Sequence, residues 1–439
     1  MTQLFIGAGM FGGLLATLSL GVPIAFALLF VALVSLFVTG GGWDALSLIP
    51  STYWGSVATL TLTSVPMFMF MGAIVSASGM GSRLYAALAT ILDGVPGGLA
   101  VATTLACGVM AAVSGSSVAT AAAIGGFAIA EMRRHGVPEG RACGAVAAGG
   151  TLGILLPPSI PLIIYSVIAE QSIGKLFIAT LVPGAIMAGA FGAYQMFLTM
   201  RDRARGGAAG ERRARPLASV RERIVALKDI GPFALLILII LGSLYRGLAT
   251  PQEAASLGIV ASLVLAGAVY RELSWAKFRQ ILVNAAQSSV MILAVISSAI
   301  VFGYVMTTSQ VAASLTQTVA GAHVQPWVLF ISINVLLIFL GCFMETIAII
   351  VVTMPVLVPV VQAYHWNLIW FGVVVVINME MALIHPPVGL NLFVVQSVAP
   401  DVPLRRIVFG TLPYVFIMMG VLALIGVFPS LSTMLIGAG

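Results

Sequence analysis

The sequence predicts an all-α polytopic membrane protein, built as two inverted repeats of five crossings that each carry a re-entrant hairpin and a broken helix. Three observations carry that prediction: an apolar composition, recurrent spans, and motifs shared in register by the two halves. Of the 439 residues, 60% are hydrophobic and 8% charged, against roughly a quarter charged in an ordinary soluble domain. Twenty basic and 14 acidic residues cannot coat a body of this size facing water on all sides, which excludes a soluble enzyme. Stretches of about 20 mostly apolar residues, enough to cross the hydrocarbon core as helix, recur from Leu4 to the C-terminus. The short alternating strands of a membrane β-barrel are absent from the pattern. Cys107, Cys143 and Cys342 each sit in apolar sequence, so neither a disulfide framework nor metal spacing follows. The opening MTQLFIGAG has no basic run and no small-residue cleavage site and reads as a retained first helix.

Charge sets the expected topology. The segment 201–229 carries nine basic residues, from Arg201 to Lys228, against Asp202, Glu211, Glu222 and Asp229, which is +5 of the net +6. It reads as a basic cytoplasmic linker by the positive-inside rule, with a flexible Gly206–Gly210 stretch, and not as a nucleic-acid site. The linker divides the chain into repeat 1, residues 1–200, and repeat 2, residues 230–439.

Internal similarity supports the division. TLGILLPPSIPLI at 151–163 and EMALIHPPVGLNLF at 380–393 align their double prolines, Pro157–Pro158 and Pro386–Pro387, at an offset of 229. The same offset lays Ser114–Ser117 over Phe343–Thr346, midway through two apolar stretches. With one residue inserted, Lys175 falls on Arg405 and Pro183 on Pro413. Each repeat is then expected to hold scaffold helices (4–60 and 230–280), a hairpin (98–132 and 326–363) and a broken helix (141–170 and 368–397). Crossings are expected at 4–20, 22–38, 61–80, 141–170 and 175–200, then at 230–247, 253–270, 281–309, 368–397 and 407–430. An odd count per half inverts the halves and puts both termini on the periplasmic side. Arg83, Arg133, Arg134, Arg141, Arg271, Lys277, Arg279, Arg405 and Arg406 then fall inside with the linker, while the outer segments around 42–60, 310–325 and 364–367 hold only Asp44 and two histidines. The turn at Gly21–Pro23 leaves one long tilted helix or two crossings open for 4–38. Trp43–Leu60 and Leu273–Gln280 read as interfacial helices anchored by Trp43, Tyr53, Trp54 and Trp275.

Irregular backbone at membrane depth exposes polar groups that hydrocarbon cannot satisfy, so chemistry is expected where the chain breaks. Proline removes an N–H and leaves carbonyls of the preceding turn without partners. Carbonyl and hydroxyl oxygens suit Na⁺, and half-helix N-termini suit an anion. Two pseudo-symmetric Na⁺ sites are expected. The first draws on Ser114, Gly115, Ser116 and Ser117 with the backbone at Thr151, Gly153 and Pro157, and the second on Glu345 and Thr346 with Met381, Ala382 and Pro386. Ser116, Ser117, Glu345, Thr346 and His385 are the candidates for substrate contact. The plain alternative for each Ser or Thr is a bond back to its own helix. Glu380 and Asn378 are read as braces of the broken helix through buried hydrogen bonds, in preference to substrate contact. His385 tunes binding, carries a proton, or is structural. His135, His323 and His365 fall in loops.

GVMAAVSGSSVATAAAIG, GGTLGILLPPSIPLIIYS, FMETIAIIVVTMPVLVPV and NMEMALIHPPVGLNLFVV, in this order, resemble the large membrane subunit of the tripartite ATP-independent periplasmic (TRAP) transporters over essentially the whole chain. The resemblance implies a secondary transporter of the prokaryotic inner membrane that takes up organic acids, such as sialic acid or C4-dicarboxylates, with Na⁺. It implies an elevator-type fold similar to the ion transporter superfamily. It also implies two partners, a small four-helix membrane subunit, expected here as a separate chain, and a periplasmic substrate-binding protein. The family's first sodium site would fall on Ser114–Ser117 and the Gly153–Pro157 break, its second on Glu345, Thr346 and the Met381–Pro387 break. His385 stands where many relatives carry a small hydroxyl residue. The alternative is a stand-alone Na⁺/anion carrier of the same superfamily. An intramembrane serine protease is disfavoured because the second tip has no serine, and a passive channel because the paired hairpins suit alternating access.

Overall fold

The computed structural model describes residues 2–205, 217–342 and 344–436. All regular structure among them is helical. The first half runs α1 (Thr2–Ser19), α2 (Ile24–Leu36), α3 (Gly42–Leu46), α4 (Leu48–Val57), α5 (Leu60–Ala77), α6 (Met80–Ile91), α7 (Gly98–Ser114), α8 (Ser117–Arg134), α9 (Glu139–Leu155), α10 (Ile160–Ile168), α11 (Ile173–Ala179) and α12 (Leu181–Ala204). The second runs α13 (Val220–Tyr245), α14 (Pro251–Val264), α15 (Trp275–Thr308), α16 (Val311–Gly321), α17 (Pro326–Gly341), α18 (Thr346–Ala363), α19 (Leu368–Ile384), α20 (Leu390–Val398), α21 (Leu404–Val427) and α22 (Ser430–Thr433). Among the described residues, eight helices are long and apolar enough to cross a membrane. Adding 229 to both bounds of α8 gives α18, and adding it to both bounds of α9 gives α19.

Of the alternatives left open for 4–38, two separate helices form, because Gly21 takes the left-handed conformation (φ 80°) and Pro23 caps α2 without an N–H to continue α1. Several other boundaries differ from the sequence reading. The 201–229 segment is helical at both ends: α12 continues to Ala204, and α13 starts at Val220 behind a capping box in which Ser219 and Glu222 bond each other's backbone. Residues 206–216, with Gly206–Gly210, lie outside the described residues, as does Phe343 of the second tetrad. Leu273–Gln280 is no separate interfacial helix. Ser274 caps Lys277, and α15 then runs unbroken from Trp275 to Thr308, with Trp275 exposed and stacked on Phe278 at 5.6 Å. α6, amphipathic and opened by left-handed Gly79, was not expected from the sequence.

Small residues decide the packing. Ala142 to Leu155 of α9 and Ile369 to Ile384 of α19 are buried without exception, so the two broken helices form the centre and cross each other. α9 also lies against α21 so closely that a Cβ on Gly144 would stand 2.3 Å from the Gly410 carbonyl oxygen. Small-residue contact of this kind drives helix association where lipid is as apolar as leucine. α8 packs on α20 and α10 on α18, so the halves interlock instead of forming two bodies. Around this centre α2, α4, α5, α14 and α15 pack mainly on one another, joined to it through α5–α7 and α15–α18. α13 and α14 turn large side chains such as Leu238 and Val260 outward, as lipid-facing helices do.

Candidate functional site

Four interruptions lie in the central group, two at hairpin turns and two within broken helices. At the first turn α7 ends on Ser114, and Gly115 reverses the chain at φ 67°, where a Cβ would press on Ile160 at 2.8 Å. Ser116 is extended and caps α8, its hydroxyl accepting from the Ala119 N–H at 3.2 Å. The Ser114 hydroxyl shares a hydrogen bond with that of Thr120 at 2.9 Å. Ser117 opens α8, buried, and its hydroxyl accepts from Asn391 Nδ2 of the second half at 2.6 Å.

The first break faces that turn. α9 ends at Leu155, the Pro157–Pro158 bond is cis, and Ser159 leads into α10. The carbonyls of Gly153 and Ile154 would bond the amides of residues 157 and 158, but proline has none. Gly153 is pressed against α7 one turn before Ser114, where a Cβ would stand 2.2 Å from Ala111 Cβ. Gly150 sits beside Ser117, with its Cβ position 3.2 Å from the Ser117 carbonyl oxygen and 3.4 Å from Asn391 Nδ2. The Ser114–Ser117 turn and the end of α9 at Gly150 and Gly153 are therefore neighbours, with Pro157 four residues further along the break. The Thr151 hydroxyl is turned back onto the Ala148 carbonyl at 2.9 Å and aims at no other group. Buried Ser159 Oγ has no hydrogen-bond partner among the described residues.

The second pair is more open. Glu345 stands exposed at the start of α18 with an extended backbone and no side-chain bond to the helix, whereas Thr346 beside it is buried with its hydroxyl unpartnered among the described residues. The end of α17 meets α19 just before its break, where a Cβ on Gly341 would stand 2.3 Å from Ala382 Cβ. The Pro386–Pro387 bond is cis like its counterpart, and prolines likewise deprive the Ala382 and Leu383 carbonyls of amides. Met381 and Ala382 are buried, while His385 and Pro386 are half-buried. The structure thus brings Thr346, Ala382 and Pro386 onto elements that touch, with Glu345 at the rim.

Three side chains here were not singled out by the sequence reading. Asn391, fully buried, donates to Ser117 Oγ and to the Ala147 carbonyl at 3.2 Å, and its own Oδ1 accepts nothing. An asparagine in an apolar run is itself the signal that could have found it. Cys342, given no role by the sequence, points its thiol at the Pro386 carbonyl (3.5 Å) and at His385 Nδ1 (3.7 Å) and so lies at the second break. Asn334 accepts from Asn378 Nδ2 at 2.6 Å and ties α17 to α19.

That bond gives Asn378 its bracing role. Glu380 does not share it: fully buried, it approaches the Leu155 backbone N–H at the first break, and neither carboxyl oxygen reaches hydrogen-bond geometry. Whereas Asn378 has its partner on α17, Glu380 thus turns its carboxyl toward the first break. Its turn of α19 faces α9 instead of the α17 partner that Asn378 finds.

Hydroxyl, amide and carbonyl oxygens left without donors, close to two helix breaks, are the ligand chemistry of a weakly held monovalent cation. No Lys or Arg occurs in 111–121, 151–160, 341–349 or 380–391, so an anion here would meet helix ends and hydroxyls.

Comparison with known proteins follows this geometry. Residues 11–431 match the family described as tripartite ATP-independent periplasmic transporter, DctM component. The chain is 36% identical over 372 residues, 85% of each protein, to the C4-dicarboxylate TRAP transporter large permease protein DctM of Pseudomonas aeruginosa. It is 31% identical over 423 residues, 96% of each, to the sialic acid TRAP transporter large permease protein SiaM of Vibrio cholerae. Among solved structures it resembles the Alcanivorax borkumensis YdaH transporter, with TM-score 0.61 and 15% identity over 89% of both chains, a likeness of fold alone.

Proposed function

The chain belongs to the DctM-component family of tripartite ATP-independent periplasmic transporters, and from that premise we propose that it imports an organic acid anion across the inner membrane by Na⁺ symport. The observation that carries the proposal is the recurrence, 229 residues apart, of a hairpin turn beside a proline-broken helix, each leaving oxygens without donors. Sodium is a transported substrate in this reading. The first ion is held by oxygens of Ser114–Ser117 and of the Thr151–Pro157 turn, with Gly115 and Gly153 admitting the close approach. The second is held by Thr346 with the carbonyls of Met381, Ala382 and Pro386, and Glu345 supplies negative charge at the rim. Substrate carboxylate meets the N-termini of α8 and α18 and the hydroxyls of Ser116, Ser117 and Thr346, with His385 beside the second tip.

In the same proposal the two repeats are inverted and the 201–229 segment is cytoplasmic. The central group α7–α10 and α17–α20 slides as an elevator against the group containing α2, α5, α14 and α15, whose mutual packing supports a separate scaffold. A small membrane subunit of four helices covers scaffold surface and a periplasmic binding protein delivers the substrate, a reading that the tripartite character of the family supports. The relatives' named acids, C4-dicarboxylates and sialic acid, define the class to test first.

The test is uptake into liposomes containing the purified chain and both partners. An inward Na⁺ gradient should drive accumulation of the acid held by the cognate binding protein. Uptake that persists unchanged when choline replaces Na⁺ would remove the coupling claim.

A further inference from the structure

At the end of the molecule where α9 begins, α12 ends and α21 begins, an open groove of about 540 Å³ lies over the α9–α21 crossing. Its volume falls within the range of roughly 300–1,000 Å³ of small-ligand sites. The groove exists because no side chain fills its floor: Gly140 and Gly410 meet there backbone to backbone. Arg141, Arg405, Arg406 and Phe409 supply its walls. Arg141 is paired with Asp202, and Arg406 with Glu139 at 2.8 Å, an acid that also serves Arg133 at the same distance. Arg133 in turn holds Asp401. Arg405 has no carboxylate partner among the described residues and lies over the exposed Phe409 ring, 5.5 Å from its centroid. One guanidinium is thus left to an external anion, against an apolar ring.

Behind Arg141 a second, small cavity of about 30 Å³ reaches Gln195 and Tyr414. The Gln195 side-chain amide donates to Thr104 and Tyr414, at 2.6 and 2.9 Å, while its buried Oε1 has no donor. That volume suits a water or two, which would supply the missing donor and keep the inner side of Arg141 wet.

We propose that the outer groove is a binding site for the phosphodiester headgroup of an anionic phospholipid. Arg405 takes the phosphate, Arg141 and Arg406 flank it from both helices, and Phe409 packs on the first carbons of the acyl region. Basic pockets between membrane helices recognise anionic headgroups in this way, and guanidinium forks match phosphate oxygens. Phospholipid is the occupant favoured over a soluble anion because the groove opens beside an aromatic ring at the ends of membrane-length helices.

Native mass spectrometry of the full chain in detergent tests this with phosphatidylglycerol, phosphatidylcholine and inorganic phosphate as probes. Phosphatidylglycerol should remain bound in preference to phosphatidylcholine and should raise the melting temperature. Arg405→Gln should lower its occupancy about fivefold and abolish the melting shift. Arg246→Gln, at an exposed arginine ending α13 outside the groove, should change neither. Equal retention by Arg405→Gln and wild type, or no preference over phosphatidylcholine, would overturn the site. Displacement of the lipid by inorganic phosphate with the same melting shift would overturn the lipid as its ligand.

Discussion

Thr346 and Asn391 show what single residues do here. Thr346 keeps a buried hydroxyl that no group among the described residues uses. Removing it should cost the fold little, because no hydrogen bond is lost. Thr346→Val is therefore expected to melt within about 1 kcal/mol of wild type in Na⁺-free buffer, yet to need several-fold more Na⁺ for half-maximal uptake. An unchanged Na⁺ requirement in the liposome assay would take Thr346 out of the ion site. Asn391 is the opposite case, since its amide is the direct link from the second half to the first hairpin turn. Ser117→Ala and Asn391→Ala should each destabilise the protein, and the double variant should show a coupling of about 1 kcal/mol in denaturation. Simple additivity would mean the bond carries no energy.

At the scale of elements, the breaks and turns matter because neighbouring helices come unusually close to them. Gly153 is the sharpest instance: a side chain there meets both the Cβ of Ala111 and the backbone nitrogen of Ala112, at 2.2 and 2.5 Å. Gly153→Val should force α7 from α9 and destabilise by about 1–3 kcal/mol, read as a lower melting temperature and lost uptake. Gly189→Ala on α12, where a Cβ meets nothing within 4 Å, is the matched control and should be neutral or slightly stabilising. The double prolines and the Ser-Gly-Ser-Ser turn were readable because proline and glycine act on the backbone locally. α6 was not, since twelve residues with one arginine and scattered alanines carry too weak a span signal. The linker shrank for a related reason: the charges of 217–229 lie on the first turns of α13, where they are solvated without ending the helix.

Across the whole molecule, charges collect at one end in a chain that crosses from half to half. Arg133 on α8 joins Asp401, from the second half, to Glu139 on α9, and Glu139 joins Arg406 on α21. The Arg133 guanidinium holds the Asp401 carboxyl below its usual range, first through their hydrogen bond. A carboxyl lowered on folding adds stability above its unfolded value, near ~4, and loses it as pH falls through the folded one. Melting temperature should therefore drop on acidification below about pH 4, and less steeply in Asp401→Asn. A parallel pair of curves would show that the link contributes nothing. Because these groups are partly exposed, high salt should weaken the effect.

Composition, span length and proline spacing by themselves determined the class of molecule and the location of the four interruptions, because each acts along a few consecutive residues. Partnership was decided only in three dimensions. Sequence could place Glu380 and Asn378 on one helix two residues apart, but not send one to Asn334 and the other to the Leu155 amide. It could not put Asn391 on Ser117, Cys342 on Pro386, or Gly410 against Gly144. Those contacts depend on which faces of interlocked helices meet, and small residues set that by how closely they let the backbones approach.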